Sequence, residues 1–187
     1  MKKKKKKILI TGSSGFIGNC LKNFLNMKYE LYLIDKKKFK KNEKNFILLN
    51  LINSEKVLKV IDIIRPDIII HLAAQSNLEE IKKKKKYIQN NIIATNNVLK
   101  AMKLCNINNI IFSSSANIYA DTKKKVTEKP SIDPKNIYSQ TKISCEKNII
   151  NKSKLYRFNY IIFRFFNVCS ALKKPYCGSL HSPETSF

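Results

Sequence analysis

Tyr138 and Lys142 stand four residues apart in the segment Tyr138-Ser139-Gln140-Thr141-Lys142. On a helix that spacing puts the phenol and the ammonium on one face. A nearby ammonium favours phenolate and lowers the phenol pKa, which makes Tyr138 a candidate general base near neutral pH. Alone, such a pair is as readily an exposed helix pair, so its weight comes from its surroundings. Ahead of it, Ser113-Ser114-Ser115 closes a short apolar run, at the kind of strand end where open α/β sheets bind ligands. Near the start, Gly12-Ser13-Ser14-Gly15-Phe16-Ile17-Gly18 follows another apolar run. Glycines there let the backbone turn tightly and approach a pyrophosphate, and a helix opening at that point offers free N–H groups to the phosphates. The spacing is Gly-x-x-Gly-x-x-Gly, one residue longer than the Gly-x-Gly-x-x-Gly fingerprint. Asp35 ends the next apolar run, where an acid can hold the adenosine ribose hydroxyls and disfavour a 2′-phosphate. The cofactor so implied is NAD rather than NADP, a preference that the adjoining lysines 36–38 oppose.

These groups need a scaffold that brings strand ends together. Apolar runs recur at 8–10, 31–34, 46–49, 68–72, 110–112 and 160–163, each bounded by turn formers or charge. Continuous apolar runs suit strands buried on both faces. Between them lie stretches of helical periodicity: Ile17, Leu21, Phe24 and Leu25 mark one face, and Ile92, Val98, Leu99 and Met102 another. Alternating strands and helices predict an α/β fold, a doubly wound parallel sheet of six strands in the Rossmann arrangement. Residues 120–134 show no periodicity and predict a long loop beside the strand ends. Residues 171–187 hold two Pro, Gly178 and several Ser, and close with no recognisable element.

Composition narrows the function classes. The 187 residues are 43% hydrophobic, enough for a sizeable core. No apolar run approaches the roughly 18 residues of a membrane helix, and 8–10 is too short for a signal-peptide core; a soluble cytoplasmic protein is expected. The net charge of +24 comes from 37 Lys+Arg against 13 Asp+Glu. Nearly all of it is lysine, since only Arg65, Arg157 and Arg164 are arginine. Arg is the residue favoured for bidentate phosphate and base recognition. A genome rich in A/T codons accounts for the abundant Lys, Asn and Ile, so specific nucleic-acid binding is not expected. Cys20, Cys105, Cys145, Cys169 and Cys177 form no Cys-x-x-Cys pair and suggest free buried thiols. With only His71 and His181 as histidines, no metal site is expected.

The ensemble of motifs resembles the extended short-chain dehydrogenase/reductase superfamily and, within it, the UDP-glucose 4-epimerase family. The marks are residues 12–18, Asp35, His71-Leu72-Ala73-Ala74, Asn91 with Thr95 and Asn97, Ser113-Ser114-Ser115, Tyr138 with Lys142, and Arg164-Phe165-Phe166-Asn167-Val168. The segment His181-Ser182-Pro183-Glu184-Thr185 is similar to one that leads into a substrate lobe. The resemblance implies transient oxidation of a sugar at C4 by tightly bound NAD and return of hydride to its other face. Tyr138 would take the 4-hydroxyl proton, Ser115 would hydrogen-bond that oxygen, and Lys142 would bind the nicotinamide ribose. Gly12, Gly15, Phe16, Ile17, Gly18, Asp35, Asn50, Leu51, Leu72, Ala73, Ala74, Asn91 and Phe165 would surround the cofactor with Tyr138 and Lys142. Ser115, Tyr138 and Asn167 would meet a nucleotide-sugar, suspected to be a UDP-hexose.

Several positions depart from the family pattern. Related 4,6-dehydratases carry an Asp-Glu pair after the strand-five hydroxyl, where this chain has Ala116 and Asn117. Asn50 stands where an acid is usual, Ala94 and Ala120 replace glycines, Ser139 follows the tyrosine where Gly is frequent, and Ser76 lies where some epimerases place a lysine. Residues 1–170 are expected to form the NAD-binding domain and 171–187 the start of a truncated substrate lobe. Without that lobe the chain is expected to bind NAD but to epimerise poorly. The alternatives are another NAD-dependent sugar-nucleotide reductase, or a non-catalytic NAD-binding or polyanion-binding remnant. A homodimer through the helices after strands four and five would have to accommodate lysines 82–86.

Overall fold

The sheet begins with β1 (Lys7–Thr11), whose sequence Lys-Ile-Leu-Ile-Thr is buried from its second residue onward. The chain then runs through α1 (Phe16–Leu25), β2 (Glu30–Asp35), β3 (Phe46–Leu48), α2 (Ser54–Ile64) and β4 (Ile68–His71). A helical stretch comes next: α3 (Lys84–Tyr87), a π-helical turn over Ile88–Ile93, and α4 (Ala94–Leu104). β5 (Asn109–Ser115), a 3-10 turn (Ala116–Ile118), α5 (Ile137–Tyr156) and β6 (Asn159–Phe165) complete it. This computed structural model describes residues 4–37, 43–76, 84–121, 127 and 131–168. Cys169, Cys177, His181, lysines 82–83 and residues 171–187 lie outside the described residues, as does most of 122–130.

All six strands are parallel, in the order β3-β2-β1-β4-β5-β6. This is the expected Rossmann arrangement, with the chain reversing direction across the sheet between β1 and β4. Thr11, His71 and Phe112 lie side by side in register, so the residues that come after β1, β4 and β5 emerge at one edge. The observed strands agree with the apolar runs to within a few residues at either end.

The two faces of the sheet are covered unequally. One core joins Leu9, Ile34, Ile69, Ile110 and Phe112 to Val57 and Ile61 of α2, Val98, Leu99 and Met102 of α4, and Ile149 of α5. A smaller one packs Leu21 and Leu25 of α1 on Ile8, Ile10, Leu33 and Ile70. Phe24, expected on the inner face of α1, is 63% exposed. A single helix covers a narrow strip, and Phe24 lies on its flank. The ends of the expected loop at 120–134 are drawn together: Tyr119 bridges Ile132, Ala120 N–H donates to the Ser131 carbonyl at 3.0 Å, and Asp133 N–H to that of Ile118 at 3.1 Å.

Candidate active site

At the end of β1 the chain makes the turn that its glycines permit. Gly12 has φ +71°, and a Cβ there would come within 2.7 Å of the Ala73 nitrogen. A Cβ on Gly18 would lie 2.5 Å from the Gly12 carbonyl oxygen. These glycines let the first turn of α1 close onto the strand ends with no side chain in the way. Gly15 caps α1 without a side-chain hydrogen bond, leaving the helix N-terminus to face whatever lies above it. Ser14 N–H donates to Asp35 Oδ2 and Lys37 N–H to Oδ1, both at 3.0 Å. The carboxylate is thereby fixed at the end of β2, beside the loop. A tight glycine turn that leads into an uncapped helix N-terminus, with an acid at its rim, fits a dinucleotide.

The catalytic candidates come from β5 and α5. Three consecutive serines of β5 each receive one side chain of α5. The Ser115 hydroxyl stands beside the Tyr138 phenol and favours its ionised form. Lys142 Nζ donates to the Ser113 carbonyl at 2.6 Å, and the Ser114 hydroxyl donates to Glu146 Oε1. Lys142 is 2% exposed and lies over the rings of Phe112 and Tyr138, 4.8 and 5.7 Å from their centroids. Burial pushes its pKa down to about 8, against a smaller upward pull from Cys145 and Glu146. The Tyr138 phenol is raised, not lowered as its spacing from Lys142 suggested. Burial is the largest cause and Tyr87 adds to it, while the Ser115 hydrogen bond opposes both. The ammonium is directed at the Ser113 carbonyl, so it does not carry the phenol downward.

A capping box starts α5 one residue before the tyrosine. Ser139 N–H donates to Asn136 Oδ1 at 2.8 Å, and Asn136 N–H donates to the Ser139 hydroxyl at 3.2 Å. This accounts for the serine after Tyr138: it satisfies the helix end and is fully buried. The π-helical turn presents Asn91, whose amide donates to Thr141 Oγ1 at 2.8 Å and whose Oδ1 accepts from Gln75 N–H at 2.7 Å. Asn91 therefore ties the segment after β4 to α5. His71 is buried between the Thr11 and Thr95 hydroxyls, at 2.7 and 3.0 Å, and burial lowers its pKa to about 3. It is a satisfied core residue.

Leu72, Ala73 and Ala74 come directly after β4 and are half-buried, with Leu72 N–H held by the Thr11 carbonyl at 3.1 Å. Asn50 is exposed after β3, where its side chain accepts from Ile52 N–H at 3.1 Å, and Leu51 is buried in the main core. Phe165 ends β6 opposite Ser115, and Asn167 is exposed two residues beyond. Phe16 and Ile17 open α1, half-buried. The sites predicted on the ends of β1, β4, β5 and β6 thus gather at one edge, with β1 and β5 about 10 Å apart, two strand spacings. Glu146, Thr11, Thr141 and Tyr87 join the site without having been singled out. For Glu146 a signal existed: it lies one turn beyond Lys142 on the face that carries Tyr138.

Cys105 and Cys145 are free and buried. Cys20 departs from the expectation of free buried thiols, being half-buried on α1 and disulfide-bonded. Among the described residues no group of three or more His, Cys, Asp or Glu could hold a metal, and no helix is long and apolar enough to cross a membrane.

A family model for the NAD dependent epimerase/dehydratase family matches residues 8–179. A UDP-glucose 4-epimerase of Lactobacillus helveticus is 30% identical over 196 residues, covering 96% of this chain and 57% of that protein. A dTDP-D-glucose 4,6-dehydratase of Dictyostelium discoideum is 28% identical over 196 residues, covering 90% and 45%. Among solved structures, the UDP-glucose 4-epimerase of Brucella ovis in complex with NAD superposes with a TM-score of 0.88 at 26% identity, over 96% of this chain and 57% of that one. The chain thus spans about half the length of these relatives.

Proposed function

The chain belongs to the NAD dependent epimerase/dehydratase family, and from that premise we propose that it carries the cofactor-binding and C4-oxidising part of a sugar-nucleotide 4-epimerase, of the UDP-glucose type. The choice between epimerase and dehydratase is carried by the two residues after Ser115. Ala116 and Asn117 occupy the 3-10 turn there, with Asn117 N–H on the Ser115 hydroxyl at 3.2 Å. Elimination of a sugar hydroxyl needs an acid and a base, and neither residue supplies one. The nearby buried carboxylate, Glu146, is taken up by Arg164 and Ser114. Beyond a hydride carrier, oxidation and re-reduction at one carbon need from the protein a hydroxyl, a phenol and an ammonium, which is what Ser115, Tyr138 and Lys142 offer.

NAD, when bound, supplies the hydride acceptor and donor. Gly12, Gly15 and Gly18 with the first turn of α1 (Phe16, Ile17) would hold its pyrophosphate, and Asp35 would accept hydrogen bonds from the adenosine ribose. Asn50 and Leu51 would lie towards the adenine, while Leu72, Ala73, Ala74, Asn91 and Phe165 would support the remaining length. Tyr138 would take the proton of the sugar 4-hydroxyl as the C4 hydrogen departs as hydride, for which bound NAD is the acceptor, and Ser115 would hydrogen-bond the same oxygen. Lys142 binds the nicotinamide ribose. Its turn from the Ser113 carbonyl towards a bound ribose would bring its charge to bear on the phenol, reversing the upward shift that burial imposes. Asn167 contacts the nucleotide-sugar.

The test is NAD binding by calorimetry, then incubation of the loaded protein with UDP-glucose or UDP-galactose while reduced nicotinamide is monitored by its absorbance. Tyr138→Phe is expected to keep NAD binding within a few-fold and to slow sugar oxidation by about 10²–10⁴-fold. A native chain that binds no NAD overturns the proposal, as does a Tyr138→Phe variant that oxidises the sugar at the native rate.

A further inference from the structure

Glu146 is 1% exposed, and the proposed chemistry gives it no task. Both its oxygens are nevertheless engaged. Arg164 of β6 donates from Nη2 to Oε2 at 2.7 Å and from Nε to Oε1 at 3.1 Å, while the Ser114 hydroxyl donates to Oε1. Arg164 lies opposite Ser114 in the β5–β6 register and also donates to the Tyr119 hydroxyl at 3.4 Å. Tyr138, Lys142 and Glu146 succeed one another at four-residue intervals down one face of α5. The first two carry the proposed chemistry, and the third is bonded to both strands beneath them. A carboxylate held from two strands fixes the rotation and height of the helix on which it sits, because a shift of either kind would strip a buried charge of its partners.

The same carboxylate is part of the electrostatic surroundings of Lys142. From α5 itself, Glu146, Cys145 and the Tyr138 phenol face that ammonium. From β4 there is the neutral imidazole of His71, and from β5 the Ser113 carbonyl and the Phe112 ring. Arg164 of β6 is directed at Glu146. Cys145 and Glu146 both favour the ammonium, and Glu146 is the carboxylate of the two.

We infer that Glu146, clamped by Arg164 and Ser114, is a positioning residue: it sets α5 on β5 so that Tyr138 and Lys142 reach the site together, and it keeps Lys142 cationic there. The inference rests on the proposed function for what Tyr138 and Lys142 do, but its test does not require a bound cofactor.

The experiment is a titration of the Lys142 side chain by carbon NMR of its Cε, the resonance being identified by its loss in Lys142→Met. In Glu146→Gln the midpoint is expected to fall by about one pH unit, a tenfold change in the ionisation constant. Glu146→Asp, which keeps the charge, is expected to stay close to the native midpoint. Because removing one member of a buried pair can unfold a chain, Glu146→Gln/Arg164→Met serves as the second variant, with a smaller shift in the same direction. A merely structural glutamate would lower the melting temperature and leave the midpoint where it was. An unchanged midpoint in whichever variant folds overturns the inference, and so does failure of both to fold, which would make the pair scaffold alone. Native protein that binds no NAD yet shows the Glu146-dependent shift would sink the proposed function and leave the electrostatic coupling standing.

Discussion

Individual side chains at this site are held at some cost to the fold. His71 titrates at about 3 in the folded chain against an ordinary value of 6.5. Between those values the unfolded chain binds a proton that the folded chain does not. Stability therefore falls as pH drops from 6.5 towards 3, by up to about 1.4 kcal/mol per pH unit from this group, and gains no slope from it above pH 6.5. Urea unfolding across that range should show the slope, and His71→Gln should flatten it. Lys142 has the same sign in a different window. Its value is lowered to about 8 from 10.5, so its buried charge destabilises the fold at neutral pH, and the penalty fades as pH rises from 8 to 10.5. Lys142→Met is expected to stabilise the unliganded chain by about 2 kcal/mol at pH 7 while weakening NAD binding. A variant that melts no higher than the native chain would show that the Ser113 carbonyl and Glu146 already compensate the ammonium.

At the scale of elements, α5 matters most, and its start is set by the capping box of Asn136 and Ser139 rather than by an amphipathic stripe. Asn136→Ala is expected to cost about 1 kcal/mol. The loss should appear as a lower melting temperature together with weaker NAD binding, because the first turn of α5 carries Tyr138. This element also shows what could be read from the chain. The six strands were legible because parallel strands buried on both faces are continuous apolar runs, such as Ile8-Leu9-Ile10 and Ile68-Ile69-Ile70. The phosphate loop was legible because Gly12 and Gly18 stand where no side chain fits. The pairing of Tyr138 with Lys142 was legible from its four-residue interval. The direction of the phenol shift was not, because spacing shows that two groups are near and says nothing of which acceptor the ammonium chooses. The π-helical turn around Asn91 escaped as well, although Ile92 and Val98, six residues apart, are out of step with a 3.6-residue period. Ser139 looked like a departure and is a cap, which only its bonds to Asn136 reveal.

Over the whole molecule, the unequal covering of the sheet has a physical consequence. Among the described residues, three helices contribute to one core and α1 alone to the other, and β6 forms one edge of the sheet. On that edge Ile161 is 52% exposed and Phe163 47%, and Phe166 just beyond is 68% exposed. Parallel strands are ordinarily covered on both faces, and an apolar edge strand is a template for pairing with another chain. The net charge of +24 opposes such contact through long-range repulsion. Salt screens that repulsion, since the Debye length shrinks from about 10 Å at 0.1 M to about 3 Å at 1 M, while apolar attraction is not weakened by it. The chain is therefore expected to be monomeric at low ionic strength and to self-associate as salt is raised. Light scattering across a salt series reads this directly. Phe163→Lys, which puts a charge on the exposed face of the edge strand, should keep the scattering mass at that of a monomer throughout the series. Association that proceeds equally in Phe163→Lys would place the contact elsewhere than β6.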